Sequence, residues 1–394
     1  MARRYLLPVF ALAVVFGVMP MAFASHGGTA AAADYHLTRS IRLGAPDRWD
    51  YIVYDSASHR VYVAHGDRVT VVNGRSGRII GVVKGIPGGT HGIAISHAAG
   101  LGYTDDGHAG EAVAFSLKTL KVVKHLKAAP DSDAVTIDPT SGHVFVVDGD
   151  PGLLTVIDPA SDRVVATVQV GSKLEFPVAG HNGKVYVNGV EKQEIFRIDT
   201  ATNRVDASWP IPQCRAPHGL AIDISTHRLF SSCENGRLVV VNADTGATVA
   251  TLPIGQGTDA AAFDPTRKLI FSSNGMDGTL SVIREVNANT FVPAATIKTA
   301  LSARTMSVDP VSGRVFLAAA ATNAKAMAAF RAAREAGRHW PSPFVPGSLK
   351  LLFFDREDSP RETPARPSAQ ERHLGRERGF DRLAYDRSSV GGLS

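Results

Sequence analysis

Three observations predict an all-β fold for this chain, a seven-bladed β-propeller of four-stranded blades. A unit of about forty residues recurs along the chain, as propeller repeats do. Each unit carries an aromatic residue at the same position, and one additional strand-like segment precedes the first unit. Repeats of this length, each with several short strands, indicate blades arranged around a central channel.

The clearest unit, residues 217–255, shows what one blade contains. Four short apolar stretches (GLAID, RLFSS, LVVVN and ATVATL) are separated by Asp, Gly, Ser and Thr. Alternation with period two, interrupted by such turn residues, is typical of strands joined by tight turns. The unit therefore predicts four consecutive antiparallel strands, which is one propeller blade.

The register of the repeat sets the number of blades. The predicted first strand ends at Gly180 in the fourth unit and at Asp or Ser in the others, namely Asp55, Ser96, Asp138, Asp223, Asp264 and Asp309. An aromatic residue follows seven residues later, or six in the fourth unit: Tyr62, Tyr103, Phe145, Tyr186, Phe230, Phe271 and Phe316. Seven units with seven aromatic residues predict seven blades.

The ends of the repeat region predict how the ring closes. The last unit ends at Asp355 after only three predicted strands. Residues 35–44, ahead of the first unit, resemble the fourth strands elsewhere, such as RVVATVQVG and ATVATLPIG. We therefore expect this N-terminal strand to complete blade seven and to cover an edge that would otherwise be unpaired.

The propeller is predicted to span residues 35–355, and the segment before it reads as an export signal. Residues 1–24 combine Arg3 and Arg4, an apolar run and a small-x-small pattern, which is typical of a signal peptide. Residues 25–34 form a short linker. The cleavage site is open between Ala24 and Ala33, and Sec and twin-arginine export both remain alternatives. We expect a periplasmic monomer that keeps no membrane span after signal cleavage.

Two further segments depart from the repeat. Residues 356–394 are rich in Arg, Glu, Pro and Ser, which predicts a disordered charged tail. Residues 321–347 form an insertion in blade seven, whose Ala-rich part predicts a helix and carries four basic residues against Glu335. Without Arg3 and Arg4 the net charge of +5 becomes +3, and the tail holds eight Arg against seven acidic residues, so +2 remains for the propeller. This small surplus argues against nucleic acid as a partner.

The repeat resembles the YVTN family of bacterial β-propellers, whose exported members include YncE-like proteins. The resemblance rests on residues 144–147 (VFVV), 154–158 (LTVID) and 163–168 (RVVATV), and it extends over residues 35–355. It implies the propeller fold with high specificity. It implies little about activity, because propellers host hydrolases, lyases, oxidoreductases and binding platforms.

Every blade places an ionisable residue five residues before the end of its first strand, where the mouth of the channel is expected. These are Asp50, His91, Asp133, Glu175, His218, Asp259 and Arg304. The ends of the second strands open on the same face and add His65, Asp106, Asp148 and Asn274, together with Glu234 in blade five. Two interpretations remain open, since polar residues also suit a turn that enters a strand and a wet channel mouth.

The ring could serve as a metal site or as a catalytic site. Asp50, His91, Asp133, His218 and Asp259 are the candidate metal ligands, because oxygen ligands favour calcium and paired histidines favour zinc, copper or iron. His91 and His218 are also candidate general acid and base. The absence of C-x-x-C-H from the sequence excludes covalent c-type haem, and no other metal or nucleophile motif is present. The cofactor is otherwise unspecified.

The two cysteines, Cys214 and Cys233, fall at the same rim of blade five. One precedes a first strand and the other ends the adjacent second strand, so a disulfide is geometrically reasonable. Export to an oxidising compartment favours the disulfide over two free thiols.

These observations support two hypotheses of different classes. In the first, the protein is a binding platform that recognises a protein, peptide or small ligand at the face bearing the ring and the insertion. In the second, the ring is the site of a metal-dependent hydrolase or lyase. The repeat brings no catalytic motif, which favours the first hypothesis.

Overall fold

The computed structural model describes residues 34–336 and 342–357, which form seven four-stranded antiparallel sheets. Strand β1 (Tyr35–Arg42) precedes blade one, which contains β2 (Ile52–Asp55), β3 (Arg60–His65), β4 (Arg68–Asn73) and β5 (Ile79–Val83). Blade two contains β6 (Ile93–Ser96), β7 (Leu101–Asp106), β8 (Glu111–Ser116) and β9 (Val122–Lys127). Blade three contains β10 (Ser132–Ile137), β11 (Val144–Asp148), β12 (Leu153–Asp158) and β13 (Arg163–Gln169).

The remaining blades repeat this order. Blade four contains β14 (Leu174–Ala179), β15 (Lys184–Gly189), β16 (Glu194–Asp199) and β17 (Arg204–Pro210). Blade five contains β18 (Pro217–Asp223), β19 (Arg228–Cys233), β20 (Arg237–Asn242) and β21 (Thr248–Pro253). Blade six contains β22 (Thr258–Asp264), β23 (Leu269–Asn274), β24 (Thr279–Asn287) and β25 (Thr290–Lys298). Blade seven contains β26 (Met306–Val308), β27 (Val315–Ala319) and β28 (Lys350–Arg356).

The N-terminal strand completes blade seven, as predicted. Its sheet has the order β1-β28-β27-β26, with Tyr35 opposite Arg356 and Arg42 opposite Lys350. Tyr35 is buried and packs edge-on against Phe271 of blade six, with the ring centroids 5.6 Å apart. The first strands of neighbouring blades contact one another around the ring, including β2 with β26. The ring is therefore closed without an unpaired edge at its seam.

The seven repeated aromatic residues form the interior between the blades. All are at most 1% exposed, and each lies opposite a residue of the first strand of its own blade. Tyr62 packs against Phe115 of blade two at 6.2 Å, and Phe316 of blade seven stacks on Tyr54 of blade one at 5.1 Å. Because burial of one such side chain contributes about 1.5–3 kcal/mol, the repeated position explains how adjacent blades adhere.

The insertion in blade seven contains one helix, α1 (Ala324–Glu335). Asn323 caps it, because its side-chain oxygen accepts hydrogen bonds from the backbone N–H groups of Lys325 (2.9 Å) and Ala326 (3.2 Å). The returning chain pairs with the outgoing chain where Val345 N–H donates to Ala321 C=O at 2.8 Å. Within the described residues, no helix has the length and hydropathy needed to cross a bilayer.

Several predicted segments lie outside the described residues. They are the signal peptide (1–24), nearly all of the linker (25–34), residues 337–341 of the insertion, and the tail from residue 358 onward.

Candidate functional site at the channel mouth

Backbone irregularities place the seven ring residues. In blades three to six, the pairing between first and second strands shifts register at Asp133, at Glu175, at His218 and at Asp259. Such β-bulges take a residue out of the ladder and re-aim its side chain. In the other three blades, Asp50, His91 and Arg304 each lie two residues ahead of the paired strand. All seven are therefore free of ladder pairing and half-buried.

Two aromatic side chains meet across the channel directly beneath the ring. Tyr51 of blade one and Phe176 of blade four lie with their ring centroids 4.5 Å apart and their planes inclined by 33°. Tyr51 packs against the core between blades three and four, and Phe176 packs against the core between blades six and seven. We call these two residues the floor pair. We call the ring residues together with the floor pair the cup.

Small residues elsewhere in this layer make room for the floor pair. The residues that follow the ring positions in the other five blades are Gly92, Ala134, Gly219, Ala260 and Thr305. A Cβ atom on Gly92 would lie 2.2 Å from the backbone nitrogen of Val135, and one on Gly219 would lie 2.3 Å from that of Ala261. Glycine is therefore required beside both ring histidines, where the first strands approach closely.

The first of two histidine–carboxylate groups lies in blades one to three. Ligand atoms of Asp50, His91 and Asp133 all lie within 4.8 Å of one another. His91 Nδ1 lies 2.7 Å from Asp105 Oδ2, and the backbone N–H of Gly92 donates to Asp105 Oδ1 at 2.6 Å. Asp105 is fully buried, so it fixes the orientation of the imidazole from behind. We call these four residues the His91 group.

The second group lies in blades four to six. His218 Nδ1 is 3.7 Å from Glu175 Oε1 and 3.5 Å from Asp259 Oδ1, and its Nε2 is 3.3 Å from Glu234 Oε1. Arg304 Nε donates to Asp259 Oδ2 at 2.6 Å. We call Glu175, His218, Glu234 and Asp259 the His218 group. It differs from the His91 group because a guanidinium neutralises one of its carboxylates.

Arg304 connects the ring to the insertion. Its guanidinium lies over the ring of Trp49, 5.3 Å from the centroid, and its Nη2 donates to the backbone oxygen of Trp49 at 2.9 Å. Trp49 also contacts the ring of Phe344, with the centroids 4.9 Å apart. The insertion is thus anchored on the same face as the ring. Beside Phe344, the helix of the insertion and residues 343–346 border a cavity of about 480 Å³ lined mainly by apolar side chains.

Burial and mutual repulsion keep protons on two of the ring carboxylates. Burial raises the pKa of Asp50 to about 7, an effect that Arg304 opposes and Asp259 reinforces. Burial also raises the pKa of Asp133 well above its usual range, and Glu175 and Asp50 add to that rise. Carboxylates in a partly desolvated cluster repel one another unless a cation or a proton offsets them.

The pKa values of the two ring histidines are raised as well, but here burial opposes the rise instead of causing it. Burial alone would lower the pKa of His91, but the hydrogen bond and charge of Asp105 raise it to about 10. Burial also works against protonated His218, yet Glu175 and Glu234 raise its pKa to about 11. Both imidazoles are therefore cationic at neutral pH, and neither is available as a general base there.

The structure separates the five residues predicted as metal ligands. Asp50, His91 and Asp133 come together, whereas His218 and Asp259 lie in the other group, where Asp259 is paired with Arg304. Among the described residues, the set from the His91 group is the only cluster with the spacing of a metal site. His91 and His218, predicted as an acid–base pair, each bind carboxylates of their own group.

The positions outward of the ring have structural roles. His65, Asp106, Asp148 and Asn274 are at most 1% exposed. Asp148 accepts hydrogen bonds from Ser132 (2.8 Å) and Thr155 (2.7 Å), and His65 Nε2 lies 2.7 Å from the backbone oxygen of Pro46. These side chains turn into their own blades, so they do not extend the ring outward. Glu234 is the exception, because it reaches His218.

Sequence reasoning missed Asp105 and the floor pair. Asp105 stands one residue before the end of its second strand, where the other blades carry Ala, Val, Asn or Ser. Tyr51 and Phe176 likewise stand in a layer that is otherwise Gly, Ala or Thr. A single charged or large residue in a column of small ones was the signal available in both cases.

The predicted disulfide between Cys214 and Cys233 is present, with the Cα atoms 5.2 Å apart. Both residues are fully buried, and no described cysteine is free. The bond links Cys214, in the loop that enters β18, to Cys233 at the end of β19. Cys214 lies four residues before His218 along the chain.

The sequence matches no known family profile, and it matches no curated protein. Among solved structures, the protein is similar to hydrazine synthase of Kuenenia stuttgartiensis, with a TM-score of 0.60 and 13% sequence identity. The similarity covers 69% of this chain and 92% of that chain. At this level of identity the likeness supports the β-propeller fold and carries no information on activity.

Proposed function

We propose that this protein is an exported binding platform of the YVTN-repeat, YncE-like type, which takes a ligand or partner at the cup. The signal-like residues 1–24 support a periplasmic location, and the units quoted above support the YVTN assignment. The observation that carries the proposal is the convergence of an ionisable residue from every blade around one channel, next to two aromatic rings that meet across it. Convergent charged groups beside aromatic side chains have the composition of a ligand site.

The arrangement of charges supports the platform over a structural explanation of the ring. Asp50, Asp133 and Glu175 form no ion pair with a lysine or arginine anywhere in residues 34–336 and 342–357. Retaining partly buried carboxylates without such partners costs stability. A site that must remain open to a ligand accounts for that cost.

A ligand screen with two isosteric variants tests the proposal. Thermal unfolding would be followed against pools of small metabolites and short peptides, for the parent, for Asp133→Asn and for Asp244→Asn. Asp244 is an exposed residue on the opposite face, so its variant controls for the loss of one charge. The proposal expects compounds that stabilise the parent and Asp244→Asn but not Asp133→Asn. A screen in which every active compound stabilises all three proteins equally would contradict it.

One observation favours a second candidate, a metal-dependent hydrolase or lyase. Asp50, His91 and Asp133 have the ligand types and spacing of a metal site, and Asp105 supports His91 as outer carboxylates support metal-bound imidazoles. A metal there would supply a Lewis acid or an activated water. Elemental analysis of protein purified without chelator tests this candidate. Stoichiometric metal in the parent that is lost in His91→Ala but kept in His36→Ala would support it.

A further inference from the structure

We propose that the tip of the β24–β25 hairpin is a pH-sensitive clasp between blades five and six, closed by a proton that Glu285 shares with Thr226 and Asp223. The tip consists of residues 285–290, and Asp223 and Thr226 belong to the turn that follows β18 in blade five. This turn lies at the end of the blades opposite the ring. None of these residues belongs to the cup, so the inference does not depend on the proposed function.

The hairpin of blade six is longer than its counterparts. β24 and β25 have nine residues each, whereas the third strands of the other blades have six or seven and their fourth strands have five to eight. The pairing of β24 with β23 ends at Arg284, and Glu285 pairs only with Phe291 of β25. The tip therefore extends beyond the inner strands of its own blade.

Blade five holds this tip through two side chains. Arg228 Nε donates to the backbone oxygen of Ala288 at 2.7 Å, and its Nη2 donates to Asn289 Oδ1 at 3.2 Å. Thr226 Oγ1 lies 2.8 Å from Glu285 Oε1. A guanidinium keeps its charge over the whole accessible pH range, so the contacts of Arg228 do not change with pH. The contact between Thr226 and Glu285 is the one that a proton can control.

Three oxygen atoms in a row need more protons than Thr226 supplies. Thr226 Oγ1 lies 2.9 Å from Asp223 Oδ2 and 2.8 Å from Glu285 Oε1. Both distances are those of hydrogen bonds, and each bond requires one proton between its two oxygens. The hydroxyl has a single proton to donate. The second proton must therefore come from a carboxyl, because with both carboxyls ionised one of the two contacts would be repulsive.

Glu285 is the carboxyl that carries this proton. Burial would raise the pKa of Asp223, but hydrogen bonds from Lys268 and from Ser225 hold it below its usual range. Glu285 is 4% exposed, and its Oε2 has no hydrogen-bond partner in the described structure. Burial, reinforced by the hydrogen bond and charge of Asp223, raises the pKa of Glu285 to about 7. An ionised Glu285 would be a buried anion with one oxygen unpaired, which is unfavourable.

The neighbouring cations are engaged elsewhere. The charged groups near Glu285 are Asp223, Lys268 and Arg228, with Arg284 on the other face of β24 and His227 half-exposed at the surface. Lys268 Nζ binds Asp223 Oδ2 and Ser225 Oγ, each at 2.7 Å. Arg228 donates to backbone oxygens and to Asn289. Above neutral pH a second negative charge therefore appears beside Asp223, and the tip opens toward water to hydrate it.

Hydrogen exchange of the hairpin tests the inference. Peptides covering residues 284–292 would be followed by mass spectrometry at pH 6 and pH 8, with each exchange rate divided by the intrinsic chemical rate at that pH. A carboxyl whose pKa is 4.5 in the open tip and about 7 in the closed one makes opening about tenfold more frequent at pH 8 than at pH 6. We expect this loss of protection in the parent. Glu285→Gln should not show it, because its amide N–H can donate to Thr226 at every pH.

Further variants assign the effect to this carboxyl. Glu285→Met has a side chain of similar length and no titrating group, so it replaces the Gln variant if that protein does not fold, and its protection should not fall between pH 6 and pH 8. Thr226→Ser keeps the hydroxyl and should respond as the parent does. Glu191→Gln, an exposed glutamate of blade four, should also behave as the parent. So should Asp50→Asn, which removes a titrating carboxyl of the cup.

Three results would overturn the inference. The first is equal protection of residues 284–292 at pH 6 and pH 8 in the parent. The second is a loss of protection in Glu285→Gln or Glu285→Met as large as that of the parent, which would assign the response to another group. The third is a response that disappears in Asp50→Asn, which would assign it to the cup.

Discussion

The two faces of the propeller use the same residue type in opposite ways. On one face, which we call the turn face, an aspartate ends or directly follows the first strand in five blades: Asp55, Asp138, Asp223, Asp264 and Asp309. Each of these carboxylates accepts the backbone N–H two residues further along the chain, at 2.8–3.3 Å. On the other face, the carboxylates of the cup face one another. Aspartate therefore closes turns on one face, whereas on the other it lies in a cluster whose charge is offset by protons, by the ring histidines and by Arg304.

Contacts between blades reinforce this difference. Asp138 accepts a hydrogen bond from Thr200 of blade four at 2.8 Å, and Asp223 pairs with Lys268 of blade six at 2.7 Å. The turn face thus joins neighbouring blades through its carboxylates. At the cup, the floor pair joins blades one and four, and one ion pair joins blades six and seven, since Arg304 donates to Asp259 at 2.6 Å. Asp50, Asp133 and Glu175 have no such lysine or arginine partner among the described residues, so the comparison teaches that these three carboxylates are not what holds neighbouring blades together.

The largest expected loss of stability comes from removing the disulfide, which lies on the face that carries the ring. Replacing Cys214 and Cys233 by Ala removes a disulfide that spans 19 residues, which should lower the free energy of unfolding by about 3 kcal/mol. Urea denaturation of the parent and the double variant measures this. A loss below about 1 kcal/mol would mean that packing alone holds this rim. Non-reducing mass spectrometry of the alkylated parent must show no modified cysteine.

The next largest loss of stability is expected when a carboxylate of the turn face is removed. Asp138→Ala leaves the hydroxyl of Thr200 and the backbone N–H of Ser141 without their acceptor, so it should cost about 1–3 kcal/mol. The pKa of Asp138 is lowered by its hydrogen bonds, although burial opposes them, so its contribution is present above pH 4 and is lost as the pH falls. The cost of the variant should therefore shrink below about pH 4. Asp244→Ala, an exposed control, should stay within about 0.5 kcal/mol of the parent.

For the cup we expect a smaller change in stability with pH, in the opposite direction: the free energy of unfolding falls as the pH rises. Because burial raises the pKa of Asp50 to about 7, the folded state binds this proton more tightly than the unfolded chain does. Stability from this group is complete below about pH 4 and is lost as the pH rises to about 7. The contributions of His91 and His218 are complete below about pH 6.5 and decline as the pH rises from there through about 10 and 11. Denaturation of the parent between about pH 4 and 6.5 should therefore show the decline that Asp50 causes, and Asp50→Asn should flatten it.

The fold could be predicted from the sequence because each blade repeats the same local pattern. The aromatic column of Tyr62 to Phe316 and the strand-like residues 35–44 sufficed for the number of blades and for the closure of the ring. The disulfide followed from the same register, since Cys214 and Cys233 fall at one rim. Periodicity gives the position of a residue along its blade, and the number of blades, the closure of the ring and the disulfide follow mainly from such positions.

The site was predicted only in part, because its contacts run across the channel. The register identified the seven ring residues, but it could not show that Tyr51 meets Phe176 or that Asp259 pairs with Arg304. These contacts depend on side-chain length and on the bulges in β10, β14, β18 and β22. The register also placed Asp148 and Asn274 at the mouth, although side-chain hydrogen bonds turn both into their blades.

The central claim is that the carboxylates of the cup serve a ligand at the expense of stability. The most direct test is the free energy of unfolding of the parent and of Asp50→Asn/Asp133→Asn, measured by urea denaturation at pH 5 and pH 8. Asn has the shape of the protonated carboxyl without its charge, so the account predicts that the double variant is more stable than the parent at pH 8, by about 1–2 kcal/mol, and that this difference is smaller at pH 5. A double variant that is less stable than the parent at pH 8 would show that these residues are structural, like Asp138, and would contradict the account.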